Sequence, residues 1–274
     1  TNGIVTAQIY LPDQDKGFYR ATRFDWSGII GSLIYQGIDY FGQWYSKHNP
    51  RVNDAISGPV EEFNEIGYEC IEDEDEFLKI GIGGLRKSNN EQYDRFKLYE
   101  IINPGEWIVE RTGRKVIFRH LIKDVSGYSY CYTKCVELTV GIPELLITHT
   151  LKNTGRKVIK TKVYNHNFLT IGHLFTDSNV VVTFPENIVK SISDNKNRIL
   201  NIDKNRVGFT RAIFPNESVM VMNINDNPVA GSIIVENEKL KAGVEITSDA
   251  RYSTIHFWAS ERTCCPEPYI NIEL

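Results

Sequence analysis

The sequence predicts an all-β sandwich, and three observations carry that prediction. Apolar runs rich in Val, Ile, Thr, Tyr and Phe recur along the chain, with turn signals of Gly, Pro, Asn and Ser about every 8 to 12 residues. Several runs alternate in strand fashion, as in Tyr128, Tyr130 and Tyr132 against Ser129, Cys131 and Thr133. Long helical periodicity is absent, and nothing reads as a βαβ unit, a phosphate loop or an internal repeat.

Taken in order, the elements follow from local chemistry. A strand is expected over 4–11, and the polar stretch Pro12 to Gly17 turns the chain. Strand-like 29–35 follows. Residues 46–76 are poorly patterned: His48-Asn49-Pro50, Ser57-Gly58-Pro59 and an acidic run from Glu72 to Glu76 read as loop, with a short helical turn over 61–66. Further strands are expected over 77–81, 96–102, 107–111, 115–123 and 128–140, separated by Asn103-Pro104-Gly105, Thr112-Gly113 and Ser126-Gly127. Residues 145–169 read as two strands joined at Lys152-Asn153-Thr154-Gly155, where Asn and Gly tolerate positive φ. Strands over 180–184 and 187–192, a polar turn over 193–198, and strands over 207–214, 219–224, 231–236, 243–247 and 254–259 lead to a closing strand over 267–274.

The chain has 274 residues, 41% of them apolar, enough for one large core, so residues 1–274 are expected to form a single domain. The net charge of -4 leaves no basic stripe for a nucleic-acid partner. No run reaches the roughly 18 apolar residues of a membrane span, and a soluble protein is expected. Its compartment is left open: cytoplasmic, or periplasmic if a signal peptide was removed before Thr1. Cys70, Cys131, Cys135, Cys264 and Cys265 show no zinc spacing and are expected to be free thiols.

One candidate site stands out. His166 closes a strand among amide and aromatic side chains, Tyr164-Asn165-His166-Asn167-Phe168, a setting that suits a proton-transfer group. Near the C-terminus Glu267 lies between Pro266 and Pro268, whose rings stiffen the backbone around the carboxylate. The plainer alternatives are a hydrogen-bonded core histidine and an edge-strand acid. Arg20, Arg23, Asp25 and Trp26 are candidates for the rim of a binding site, against a structural Arg–Asp pair on a loop. No histidine pair has metal-ligand spacing, so no metal is expected.

Two stretches together resemble the galactose mutarotase (aldose 1-epimerase) superfamily. The first is Asn153-Thr154-Gly155 followed by Asn165-His166 and Phe168-Leu169. The second is Ile255-His256-Phe257-Trp258 followed by Pro266-Glu267-Pro268-Tyr269. The resemblance implies a single supersandwich of two large, mostly antiparallel sheets, with a cleft on the concave sheet. It implies an isomerase that interconverts the anomers of a free sugar or sugar derivative without a cofactor, with Glu267 as base and His166 as acid. Arg86, Asn165, His173, His256, Trp258 and Arg23 are the implied substrate-binding candidates. His149 is expected on the strand paired with that of His166. The chain departs from the family at Ile82, which precedes Gly83-Gly84 where the family carries His-Gly-Gly; Arg86 or Lys87 is a candidate to replace the lost donor. The alternatives are a non-catalytic carbohydrate-binding or accessory protein of this fold, and a glycan-cleaving hydrolase or lyase on a similar sandwich, for which Asp25 and Tyr19 are candidate groups. The oligomeric state is left open.

Overall fold

Alternation along the strands builds the molecule. In a computed structural model of the chain, which describes residues 1–88, 91–188 and 198–274, strands dominate and no α-helix occurs among the described residues. Several of the sheets are antiparallel, as the resemblance implies. No helix is long and apolar enough to cross a membrane. The described residues fall into two compact units. The first holds Thr1–Gly37, Tyr45–Val163 and Asn271–Leu274, and the second holds Ile38–Trp44 and Tyr164–Ile270.

The first unit is organised by a four-stranded sheet in the order Leu145–Asn153, Tyr128–Leu138, Lys115–Val125, Glu106–Arg111. Strand Tyr128–Leu138 buries every second residue from Tyr130 to Leu138. Three of those side chains are polar, and each docks a remote segment. Tyr130 Oη accepts the Gly81 N–H at 3.1 Å, and it lies 2.8 Å from His120 Nδ1. Tyr132 donates to Asp25 Oδ2 at 2.9 Å. Lys134 donates to the Ser27 carbonyl at 2.9 Å and pairs with Glu61. Apolar side chains fill the space around this row, among them Phe63, Leu78, Ile80, Ile122 and Val125. Gly81 has φ +77, and a Cβ there would meet Asp25 Oδ1 at 2.3 Å, so conformation and space both demand glycine.

Glu61 and Glu62 correct one sequence expectation. The helical turn expected over 61–66 is instead a strand, Gly58–Phe63, with all six residues buried. Adjacent glutamates look like a solvated surface in a sequence window. Here each meets cations from distant segments, on opposite faces of the strand. Glu61 pairs with Lys134 and with His149 Nε2 at 2.9 Å. Glu62 pairs with Arg23 Nε at 2.8 Å, Arg95 Nε at 3.5 Å and Lys79 Nζ at 3.7 Å. Burial pushes the Glu61 carboxyl up, but Lys134 and His149 together outweigh it and hold the pKa down at about 2. Burial raises Asp25 to about 6 against the pull of Lys134, and lowers Lys79 to about 8 against that of Glu62.

In the second unit one sheet runs Ser218–Val221, Thr254–Ser260, Thr263–Glu273, Lys160–Phe168, the last two strands being shared in sequence with the first unit. A five-stranded sheet runs Leu200–Asp203, Arg206–Phe209, Val180–Thr183, Ile233–Asn237, Ala242–Ile246. Ile255, Phe257 and Ala259 are fully buried. Phe257 lies edge-on to Phe184 at 6.0 Å and tilted on Phe209 at 6.3 Å, so this face packs on the five-stranded sheet. His256 and Trp258 therefore occupy the opposite face.

Other differences are local. Residues 145–169 do not form a hairpin. Leu145–Asn153 pairs with Tyr128–Leu138, whereas Lys160–Phe168 lies beside Thr263–Glu273. The strands as such were legible from side-chain pattern; their partners are fixed by remote residues. The strand expected over 96–102 shrinks to Ile101–Asn103, because Phe96 and Leu98 find no core and remain exposed. Leu200–Asp203 was not anticipated. The strand expected over 187–192 and the turn over 193–198 fall largely outside the described residues. All five cysteines are free.

Two outcomes test this account. Lys134→Met strands the buried Glu61 charge and should cost about 3–5 kcal/mol in denaturant unfolding. Lys134→Met with Glu61→Gln should recover part of that loss; a double variant as unstable as the single would show that the pair is not what matters. His120 is buried beside Tyr130 and the Pro104 carbonyl, stacked on Trp107, and burial lowers its pKa from 6.5 to about 4. Its neutral form is thus tied to the folded state. That contribution is present above pH 6.5 and is lost as pH falls toward 4, to a limit of about 3 kcal/mol. A His120→Gln variant should lose less stability than wild type between pH 7 and 4.5.

Candidate functional site

Three neighbouring strands of the second unit present one polar and aromatic face. Tyr164, His166 and Phe168 share a side of Lys160–Phe168. On Thr263–Glu273 that face carries Cys265, Glu267 and Tyr269. Register places His256 opposite Glu267 and Trp258 opposite Cys265.

His166 and Glu267 meet here. Nε2 of His166 lies 3.2 Å from Oε1 of Glu267, and both residues are 4% exposed. The imidazole stacks on Phe168 with centroids 3.8 Å apart and planes 7° apart. Phe168 stacks in turn on Trp44 at 5.0 Å. Trp258 crosses this column edge-on, 5.7 Å from His166, 6.5 Å from Phe168 and 5.5 Å from Trp44. Tyr164 lies tilted against His166 at 5.9 Å and stacks on Tyr269 at 4.4 Å. The ring of His166 is thus fixed by aromatic packing while one nitrogen is directed at a carboxylate. Asn167 Nδ2 donates to the Pro266 carbonyl at 2.8 Å, which ties the two strands together beside the pair.

The remaining candidates divide. His256 belongs to this face: its Nδ1 accepts the Asn223 N–H at 3.0 Å, which requires a neutral ring carrying its proton on Nε2, and the ring lies 4.7 Å from Tyr269. Trp258 is part of the aromatic column. Asn165 precedes His166 and so projects from the other side of the strand; its carbonyl accepts from Asn167. His173 lies in a short 3-10 turn with φ +56 and contacts Asp39 at 3.5 Å.

Arg23 and Arg86 belong to the first unit, where both guanidiniums are engaged. Arg23 is buried, binds Glu62 and Asp54, and lies over the rings of Phe24 and Phe96. Arg86 pairs with Glu100 at 2.9 Å and Glu74 at 3.4 Å. Lys87, the other candidate to replace the lost histidine donor, is buried with Nζ on the carbonyls of Tyr68 and Ile71. Ile82 is fully buried. Tyr19 and Trp26 are core residues bonded to the Asn53 and Ala21 carbonyls. His149 does not pair with the His166 strand: it bonds Glu61. No group of three or more His, Cys, Asp or Glu with metal-binding geometry occurs among the described residues.

Sequence reasoning missed Trp44, which lies outside any strand and carries no local signal. It also missed Tyr164 and Tyr269 as neighbours of the pair, although the two-residue spacing of Tyr164, His166 and Phe168 was available to show one of them.

Comparison with solved structures places the fold. A galactose mutarotase-like protein from Lactobacillus casei ATCC 334 superposes with a TM-score of 0.52 at 13% identity, covering 96% of this chain and 87% of that one. One from Clostridium acetobutylicum gives 0.51 at 14%, covering 97% and 88%. The chain has the galactose mutarotase-like fold. No protein-family model matches it, and no curated protein does.

Phe168→Ala should remove the ring stacked between His166 and Trp44 and cost about 3–5 kcal/mol in unfolding experiments. A loss under about 1 kcal/mol would mean that the column does not hold the histidine.

Proposed function

We propose that the chain binds a free sugar or sugar derivative and interconverts its anomers by acid–base catalysis at His166 and Glu267. The observation that carries this reading is the buried 3.2 Å contact between an imidazole and a carboxylate, set among aromatic rings. The fold is consistent with it, since the structural neighbours are galactose mutarotase-like proteins.

Anomer exchange asks for two groups of complementary protonation. A carboxylate removes the proton from the C1 hydroxyl, the C1–O1 bond becomes a carbonyl, and the C1–O5 bond breaks as O5 takes a proton from an acid. Rotation about C1–C2 and reversal of the two transfers gives the other anomer. In this chain Glu267 is the base and His166 the acid, because a carboxylate 3.2 Å away favours the protonated imidazole. Trp258 supplies a ring face against which a pyranose can stack. His256, held with its proton on Nε2, is a donor for a sugar hydroxyl.

A second reading, sugar binding without turnover, is favoured by Ile82, a fully buried aliphatic residue where the family pattern has a histidine. One experiment separates the two. Anomer exchange of several aldoses, followed by NMR, should accelerate with the wild-type chain and fall at least about a hundredfold in Glu267→Gln and in His166→Asn. Sugar binding with no acceleration by wild type would leave the binding reading. Neither binding nor acceleration with any sugar tested would overturn both.

A further inference from the structure

The four-stranded sheet of the first unit has two edges of contrasting character. Glu106–Arg111 is guarded by Glu106, Glu110 and Arg111 within six residues, with Glu110 further paired to Arg119. Such charges blunt an edge against pairing with another chain. The other edge, Leu145–Asn153, has nine residues in unbroken register with Tyr128–Leu138. It carries no proline, bulge or acidic residue, and Lys152 near its end is its one lysine or arginine. Among the described residues it is paired on one side only.

Its hydrogen-bonding parity is fixed. Thr154 N–H donates to the Ser129 carbonyl, and the Glu144 carbonyl accepts from Thr139 N–H, so even-numbered residues face the neighbouring strand. Odd-numbered residues from Leu145 to Asn153 therefore turn their N–H and C=O toward the open edge. The sequence is also nearly symmetric about His149. Thr148 and Thr150 flank it, then Ile147 and Leu151.

We propose that this edge is a self-association site, at which two copies pair antiparallel about a two-fold axis through His149. In that register the two His149 residues exchange backbone hydrogen bonds, and Ile147 lies opposite Leu151 of the other copy. Thr148 lies opposite Thr150 at a non-hydrogen-bonded position, where side chains come closest. Leu146, 48% exposed, meets the aliphatic stem of Lys152. Val140 and Ile142, exposed by 67% and 46% just ahead of the strand, extend the apolar margin. The occupant is a second copy of this chain because the edge complements itself: the axis sets Ile147 against Leu151, Thr148 against Thr150, Leu145 against Asn153 and Leu146 against the stem of Lys152, so no lysine meets a lysine and the strand brings no acidic residue. The imidazole of His149 stays on Glu61 of its own chain, so association leaves the buried ion cluster intact. Joining two such edges makes one eight-stranded sheet from two four-stranded ones.

Two arms test the interface and its register. In sedimentation experiments from low to high micromolar concentration, wild type should show a monomer–dimer equilibrium. Thr148→Lys with Thr150→Lys places lysines opposite lysines on an exposed face and should raise the dissociation constant at least about tenfold without altering the circular dichroism. For the register, Thr148→Cys and Thr150→Cys chains should form an inter-chain disulfide when mixed and oxidised. Each alone should match the wild-type background, since its new thiol faces a threonine. A wild-type chain monomeric at every concentration would overturn the proposal. So would a dimer equally tight in the lysine variant, or cross-linking as strong within each cysteine variant alone as in the mixture.

Discussion

Two adjacent glutamates inside one strand constrain the first unit more than any apolar contact does. A lone buried carboxylate is expensive, and Gly58–Phe63 buries two in succession. Pleating sends them to opposite faces, so each needs its own cations. Glu61 takes Lys134 and His149, and Glu62 takes Arg23, Lys79 and Arg95. These partners come from three separate strands and two loops. If any of those segments is misplaced, a charge is left without compensation in a low-dielectric interior. Apolar packing tolerates sliding, whereas these pairs specify one arrangement. The polar row of Tyr130, Tyr132 and Lys134 adds to this by docking Gly81, Asp25 and Ser27 at fixed heights along one strand.

Among the described residues the His149–Glu61 and His166–Glu267 contacts differ in character because of their surroundings. At Glu61 the carboxylate is already neutralised by Lys134, and His149 is a partly exposed third member. The charge is spent on holding the fold. Glu267 instead faces the ring of His166, inside a wall of Phe168, Trp258 and Tyr164. Aromatic walls orient a ring without supplying a competing charge. That difference is why the second pair, and not the first, is the candidate for proton transfer.

The candidate site was partly legible. His166 and Glu267 were visible because residue type, neighbouring aromatics and flanking prolines marked them, and because the two motifs occurred together. Trp258 and His256 followed from their spacing of two on a strand. Arg23 and Arg86 were candidates through the resemblance, and in the structure both guanidiniums meet carboxylates. A guanidinium looks the same in sequence whether it faces a ligand or a buried glutamate. Trp44 was invisible, since nothing local distinguishes an aromatic residue in a loop that covers a site from one that does not.

By itself the sequence determined that this is an all-β chain, where most of its strands lie, and which face of each is apolar. These are consequences of period-two alternation and turn chemistry, which act over a few residues. Only the tertiary structure decided which strands are neighbours, that residues 145–169 part into different sheets, and that Glu61 and Glu62 are interior strand residues and not a solvated turn. Pairing and charge compensation join residues that stand far apart in sequence, such as Lys134 with Ser27, 107 positions away, or Asn167 with Pro266, 99 away. Electrostatic burial is a property of the partner as much as of the residue, and the partner cannot be read from the neighbouring sequence.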